Sequence, residues 1–281
     1  MRIMFEKMNG TGNDFVMIDH REETYKDQLS DLVVNICHRR FGIGADGVIL
    51  IEKSQIADFK MRIFNADGSE AEMCGNGARC AIKFAKQLNL STSSGTDRFV
   101  FETMEGALVG TILPTGDVEV EMQEPMNLNV NLKLTNSTPE EELSWEVSTL
   151  NTGVPHAIVF VPNIEKVDVQ SWGKIIREHA HFSPSGTNVN FVQVINSQTI
   201  SIRTYERGVE AETFACGTGA TASAILASLV KKVENPVKVI VKGGTLRIDF
   251  ERLEVEEAKS IRNVRMQGPA TTVFKGEYDY V

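Results

Sequence analysis

The stretch MCGNGARC, Met73–Cys80, sets a cysteine directly before Gly-Asn-Gly and then opens an alanine-containing run. A second stretch, ACGTGATA, Ala215–Ala222, repeats the arrangement. Paired glycines just after a cysteine mark backbone that turns sharply or passes close to something. If a helix starts at each place, its first N–H groups lack intrahelical partners and carry partial positive charge. A carboxylate binds naturally there, and a thiol there is shifted towards thiolate, below its ordinary pKa of about 8.5. Each stretch therefore supplies a reactive sulfur beside an anion cradle. If the two face each other across one carboxylate, one sulfur removes a proton from a carbon and the other returns one to the opposite face. The α-carbon of an amino acid suits that chemistry, because helix N-termini stabilise charge building on its carboxylate.

The repeat extends well beyond the cysteines. FKMRIFNADGSEAEMCGNGARCAIKFA, from Phe59, resembles ISIRTYERGVEAETFACGTGATASAILA, from Ile200. Arg62 pairs with Arg203, Phe64 with Tyr205 and Asn65 with Glu206 at a spacing of 141, and Cys74 with Cys216 at 142. Upstream, Thr11-Gly12 matches Thr152-Gly153, each followed by an apolar run, FVMID and AIVFV. GADGVILI matches GTNVNFVQV with Asp46 opposite Asn188. A constant offset over four blocks means that the chain holds two similar halves.

Each half reads as short strands punctuated by Gly, Asn and Asp turns. DFVMID, GVILIE, KMRIF, RFVFETM and VEVEM are expected strands in the first half, and AIVFV, NFVQV, ISIRTY, VKVIV and TLRIDF in the second. DLVVNICHRRF and DVQSWGKIIREHAHF are amphipathic helices, with Asp168 as N-cap of the latter. ATASAILASLV is small or apolar on nearly every face, the mark of a helix buried all round. ARCAIKFAKQL carries Ala78, Ala81, Ile82, Ala85 and Leu88 at helical spacing. The expected fold class is mixed α/β (α+β): two pseudo-symmetric lobes from internal duplication, each a strand-rich shell around a central buried helix. The break falls near EMQEPMNLNV, giving an N-terminal lobe over 1–122, which the tail 265–281 would complete, and a C-terminal lobe over 123–264.

Composition narrows the partners. The 281 residues are 42% hydrophobic and 24% charged, enough for substantial cores without staples. The net charge of −9, with no Lys/Arg block, argues against nucleic acid or an anionic membrane as partner. No apolar run approaches the roughly 18 residues of a membrane span, and MRIMFEKMNG lacks a signal-peptide core; the expected location is cytoplasmic. The cysteines at 37, 74, 80 and 216 form no CxxC pair and the five histidines have no zinc spacing, so no metal is expected. Cys37 and Cys80 are most simply small buried hydrophobes.

KMNGTGNDFV, FGIGADG, NADGSEAEMCGNGARC, GTNVNFVQV and YERGVEAETFACGTGA resemble the diaminopimelate epimerase family, in the same order and along almost the whole chain. The Asn-Asp-Gly-Ser-type run before Cys-Gly-Asn-Gly-x-Arg sets this family apart from the related proline racemases. The resemblance implies two α/β lobes with the active site in the cleft between them. It also implies cofactor-free interconversion of LL- and meso-2,6-diaminopimelate, a step towards lysine and peptidoglycan, with this small molecule as the partner and a homodimer as the expected assembly. By matching motif, Cys74 and Cys216 are the paired acid and base; from LL to meso, Cys216 takes the proton and Cys74 gives it. Gly75-Asn76 and Gly217-Thr218 cradle the α-carboxylate, while Asn13, Asn65, Asn188, Glu206 and Arg207 read the amino and carboxylate groups. His156 matches a position that tunes the thiols, and Glu206 is expected to support it. Val154 stands where many members carry asparagine and Gly47 where many carry glutamine, and the stretch from Arg207 to Cys216 is one residue longer than the commonest form. The alternatives are a cofactor-independent racemase of another amino acid, such as histidine, and a non-catalytic amino-acid-binding protein; retention of both cysteines argues against the second.

Overall fold

The computed structural model describes residues 1–24, 28–137, 142–255 and 258–280. The chain forms two compact units: unit 1, Met1–Glu121 with Gln267–Val281, and unit 2, Met122–Met266. Among the described residues helices are few: α1 (Leu29–Cys37), α2 (Gly75–Gln87), α3 (Val169–Arg177) and α4 (Gly217–Val230), with short 3-10 turns at Ile164–Lys166 and Ala180–Phe182.

In unit 1, Thr271–Asp279 pairs antiparallel with Arg2–Gly10, which pairs antiparallel with Asn13–Asp19. The row continues parallel to Gly47–Glu52, antiparallel to Phe59–Asn65, parallel to Arg98–Thr103, then antiparallel to Gly106–Ile112 and Val118–Glu121. The helix α2 lies against strands at both ends of this row. It buries Ala78, Cys80, Ala81, Ile82, Phe84, Ala85 and even Arg79, so its buried face is wider than the alternation alone implied. On the other side of the sheet, α1 buries Leu29, Leu32, Val33, Ile36 and Cys37, an i, i+3, i+4 stripe, over Val16, Ile18, Val48, Leu50 and Phe64.

Unit 2 repeats the succession of pairings. Met126–Ser137 pairs with Glu142–Asn151, which pairs with Pro155–Phe160, parallel to Asn188–Asn196, antiparallel to Thr199–Glu206, parallel to Val237–Val241 and antiparallel to Gly244–Val255. Here α4 is the inner helix. Its Ala and Gly residues let the strands approach, and each large side chain it buries completely, Ile225 and Leu226, contributes roughly 1.5–3 kcal/mol. The outer helix α3 starts where Asp168 accepts from Ser171 N–H at 3.0 Å, as an N-cap should. It packs with Val159, Val189, Phe191 and Tyr205 on the opposite face.

The ladders refine the internal alignment. Phe15 pairs with Gly47 and His156 with Asn188, while Ile49 pairs with Ile63 and Asn190 with Thr204. Asn188 therefore corresponds to Gly47 rather than to Asp46, and the offset through these strands is uniformly 141. Arg62 and Arg203 keep the same duty in both units: each binds a glutamate with Nε and NH2, Glu70 and Glu212 respectively, with the Nε bonds at 2.7 Å.

Candidate active site

Both sulfurs sit at helix N-caps. Cys74 and Cys216 have extended backbones, φ −145° and −118°, and each side chain accepts from the N–H three residues on. Gly77 N–H reaches Cys74 Sγ at 3.5 Å and Gly219 N–H reaches Cys216 Sγ at 3.4 Å. The cap position is normally filled by Ser, Thr, Asp or Asn; sulfur in that role receives a fixed donor that favours its negative form. The first intrahelical bonds, Ala78 N–H to Cys74 O and Ala220 N–H to Cys216 O, leave Gly75-Asn76 and Gly217-Thr218 at the anion-binding end.

The glycines are there for close approach. A Cβ on Gly77 would lie 2.8 Å from Ile49 Cδ1 and one on Gly219 2.4 Å from Asn190 Oδ1. Each helix start is thus pressed onto the middle strands of its own sheet, which fixes where the sulfur stands.

In unit 1, Asn13 Oδ1 accepts from Cys74 Sγ at 3.6 Å. Its amide is oriented by Asp46, whose Oδ2 takes Asn13 Nδ2 at 2.7 Å. Arg39 holds Asp46 Oδ1 at 2.8 Å and also Asp14. Hydrogen bonds from Arg39 and Lys7 hold the Asp14 carboxyl below its ordinary range against the opposing effect of burial. Below the helix start, Arg79 is wholly buried. It donates to Thr11 Oγ1 at 2.6 Å, Asn76 Oδ1 at 3.0 Å, Gly75 O at 3.3 Å and Pro269 O at 3.3 Å. Burial pulls its pKa down, opposed by Cys80 and Cys74; guanidinium stays charged regardless. Thr11 takes φ 60°, a left-handed conformation costly for a β-branched residue, because Thr11-Gly12 is the two-residue turn closed by the Gly10–Asn13 pair. Asn65 is exposed at the end of its strand, bonded to Ser69 Oγ at 3.0 Å, and makes no bond to Cys74.

In unit 2, Cys216 Sγ lies 3.4 Å from Thr218 Oγ1, which lies 2.9 Å from His156 Nε2. Burial, with a smaller effect of Arg207, pushes the His156 ring down to about 3, so it is neutral. Thr152 Oγ1 donates to Thr218 O at 2.9 Å, tying the second Thr-Gly turn to α4. Asn188 Oδ1 accepts from Arg207 N–H at 2.8 Å, and Arg207 NH1 donates to Ser185 O at 3.1 Å. Arg207 is half-buried and, among the described residues, has no carboxylate within ion-pair distance. Glu206 precedes it, half-buried at the strand end. Asn13, Gly75 and Asn76 thus gather at Cys74, and Thr218 and His156 at Cys216, with Asn188, Glu206 and Arg207 together.

Sequence reasoning assigned no part to Arg79, Thr11, Thr152, Asn190 or Thr204. Two signals for them were present: Arg79 lies inside CGNGARC, and Asn190, in an expected strand, stands between Val189 and Phe191-Val192. Cys37 and Cys80 are the buried thiols expected, each raised to about 12 by burial. Among the described residues, no group of three or more His, Cys, Asp or Glu side chains is placed to hold a metal ion, and no helix is long and apolar enough to cross a membrane.

A family model described as diaminopimelate epimerase matches residues 5–128 and 148–273, once in each half. The diaminopimelate epimerase of Flavobacterium psychrophilum is 40% identical over 272 residues, covering 96% of this chain and 97% of its own. That of Aquifex aeolicus is 42% identical over 292 residues, covering 97% and 96%. Among solved structures, a Bacillus anthracis phenazine biosynthesis protein of the PhzF family superposes with a TM-score of 0.74 at 15% identity, covering 100% of both chains, a likeness of fold alone.

Proposed function

Because the chain belongs to the diaminopimelate epimerase family, we propose that Cys74 and Cys216 are the acid–base pair with which this isomerase interconverts LL- and meso-2,6-diaminopimelate. The observation that carries the reading is the contrast between two sulfurs on the same kind of cap. Within its unit, Cys216 Sγ accepts from Gly219 N–H and lies 3.4 Å from the Thr218 hydroxyl, which is able to donate to it. Cys74, besides Gly77 N–H, faces the acceptor Asn13 Oδ1. Donors favour a thiolate and an acceptor favours S–H. The resting pattern is that of a base at Cys216 and an acid at Cys74, the arrangement needed for the LL to meso direction.

The Cys216 thiolate takes the α-proton: the C–H bond breaks, S–H forms, and the electron pair spreads onto the substrate carboxylate. The N–H groups of Gly75-Asn76 and Gly217-Thr218 stabilise that charge where it develops. Cys74 then gives its proton to the opposite face, inverting the centre and becoming thiolate. Asn13, Asn65, Asn188, Glu206 and Arg207 read the amino and carboxylate groups, Arg207 through its bidentate fork. His156 supports Cys216 through Thr218, and Glu206 supports the amino group. The two thiols fill both proton-transfer roles, so the reading needs no cofactor.

The reaction serves lysine and peptidoglycan-precursor synthesis. A cytoplasmic location and a homodimeric assembly belong to the same reading; a reducing compartment suits catalytic thiols. The purified protein, given LL-diaminopimelate and nothing else, is expected to produce the meso isomer until the two reach equilibrium. Absence of meso product, with a folded protein, would contradict the assignment.

A further inference from the structure

One set of buried positions breaks the repeat. At the offset of the ladders, His156 stands where unit 1 has Phe15, Asn190 where it has Ile49, and Thr204 where it has Ile63. Thr218 stands where α2 has Asn76. Unit 2 thus runs a polar file, placing His156, Asn190 and Thr204 where unit 1 has the apolar Phe15, Ile49 and Ile63; only at the helix start, Thr218 against Asn76, are both units polar. Asn190 is 0% and His156 1% exposed. Such groups cost free energy unless each finds its partners, so the file's hydrogen bonds can be traced atom by atom.

The Ala157 carbonyl can only accept, and Asn190 Nδ2 lies 3.4 Å from it. Asn190 Oδ1 accepts from Thr204 Oγ1 at 2.9 Å. These two contacts fix the amide. Its remaining N–H points at His156 Nδ1, 3.1 Å away, which must therefore present a lone pair. In a neutral ring the proton then resides on Nε2, which donates to Thr218 Oγ1. With one lone pair so engaged, the Thr218 hydroxyl keeps its own proton available for Cys216 Sγ, 3.4 Å away.

We propose that Asn190, held by Thr204 and the Ala157 carbonyl, is a positioning residue that locks His156 in its Nε2–H form and so directs the Thr218 hydroxyl proton onto Cys216. The file transmits orientation rather than charge. It belongs to unit 2 alone, so it gives the two otherwise similar sulfurs different resting states. This rests on the reading of Cys216 as the proton acceptor.

Long-range proton–nitrogen correlation spectra of the unsubstituted protein, with the His156 ring identified by its loss in His156→Gln, are expected to show the Nε2–H form. An Nδ1–H ring would overturn the proposal. Asn190→Asp is nearly isosteric but places an acceptor beside Nδ1, which reverses the tautomer and turns the Thr218 proton away from sulfur. The ratio of iodoacetamide alkylation at Cys216 to that at Cys74 should then fall by about tenfold, the weight of one hydrogen bond to a charged group. Thr218→Val should lower the same ratio and Thr218→Ser restore it, which keeps the test decisive even if Asn190→Asp does not fold. An unchanged ratio in Thr218→Val would sink the idea. Tautomer and alkylation are read without substrate, so they fail separately from the epimerase reading, which turnover decides.

Discussion

Cys74→Ala and Cys216→Ala are each expected to lower epimerase turnover by about a thousandfold or more, because each removes one of two groups that must both move a proton. The double variant should be hardly worse than either single one, since groups acting as a unit lose their whole effect at the first removal. Both variants should fold, because alanine fits an N-cap at a cost of only about 1 kcal/mol. Cys37→Ala and Cys80→Ala are the controls. Those sulfurs are 3% and 0% exposed and are held as thiols by burial, so their removal leaves a small void and touches no proton. Initial rates from LL-diaminopimelate, beside a circular dichroism melt of each variant, separate the two cases. Turnover near the parent level in a folded Cys216→Ala protein would end the two-sulfur account.

Arg207→Met should cost roughly a hundredfold in kcat/KM, carried mainly by weaker substrate binding. Among the described residues the half-buried Arg207 guanidinium bonds to the Ser185 carbonyl and to no carboxylate, which suits the proposed binding of a substrate carboxylate, and losing such a charge-assisted pair costs about 2–5 kcal/mol. Stability should change far less. The native bond lost is a single exposed one, worth about 1 kcal/mol or less, while the Asn188 contact uses the Arg207 backbone and survives. Isothermal titration with diaminopimelate reads the effect directly; an affinity equal to the parent's would remove Arg207 from the substrate-binding group.

The helices α2 and α4 were legible because their starts depend on backbone demands. Cysteine followed by Gly-x-Gly and then small residues leaves few alternatives to a capped, tightly packed helix. Val237–Val241, with clean alternation, and Gly47–Glu52, a short unbroken apolar run buried throughout, were legible for the same local reason. Met126–Ser137 was not. Its asparagines are poor strand formers, Asn127 and Asn131 take positive φ, and Leu128 and Val130 are 39% and 46% exposed, so alternation over its first half reports no core, and among the described residues Leu134 alone is buried further on. Arg2–Gly10 and Thr271–Asp279 pair with each other from opposite ends of the chain, a relation that no local window contains.

The placement of both sulfurs at the starts of α2 and α4 followed from the sequence. What surrounds them did not. Repetition pointed to likeness between the halves, whereas the difference that matters lies in side chains such as Phe15 and His156, which share a place in the frame and nothing in chemistry. Arg79 went unassigned because a buried cation defies the helical pattern; the acceptors around it, Thr11, Asn76, Gly75 and Pro269 among them, explain it.

The central claim is that one sulfur abstracts and the other donates, and isotope uptake tests it most directly. The reaction is run from the LL isomer in heavy water and stopped early. The donor thiol has exchanged with solvent, so meso product should carry deuterium at the inverted α-carbon. The proton taken by the abstracting sulfur returns largely unexchanged, so recovered LL substrate should be almost unlabelled. Equal early labelling of substrate and product would contradict the account, because a single shared base scrambles label into both isomers at similar rates.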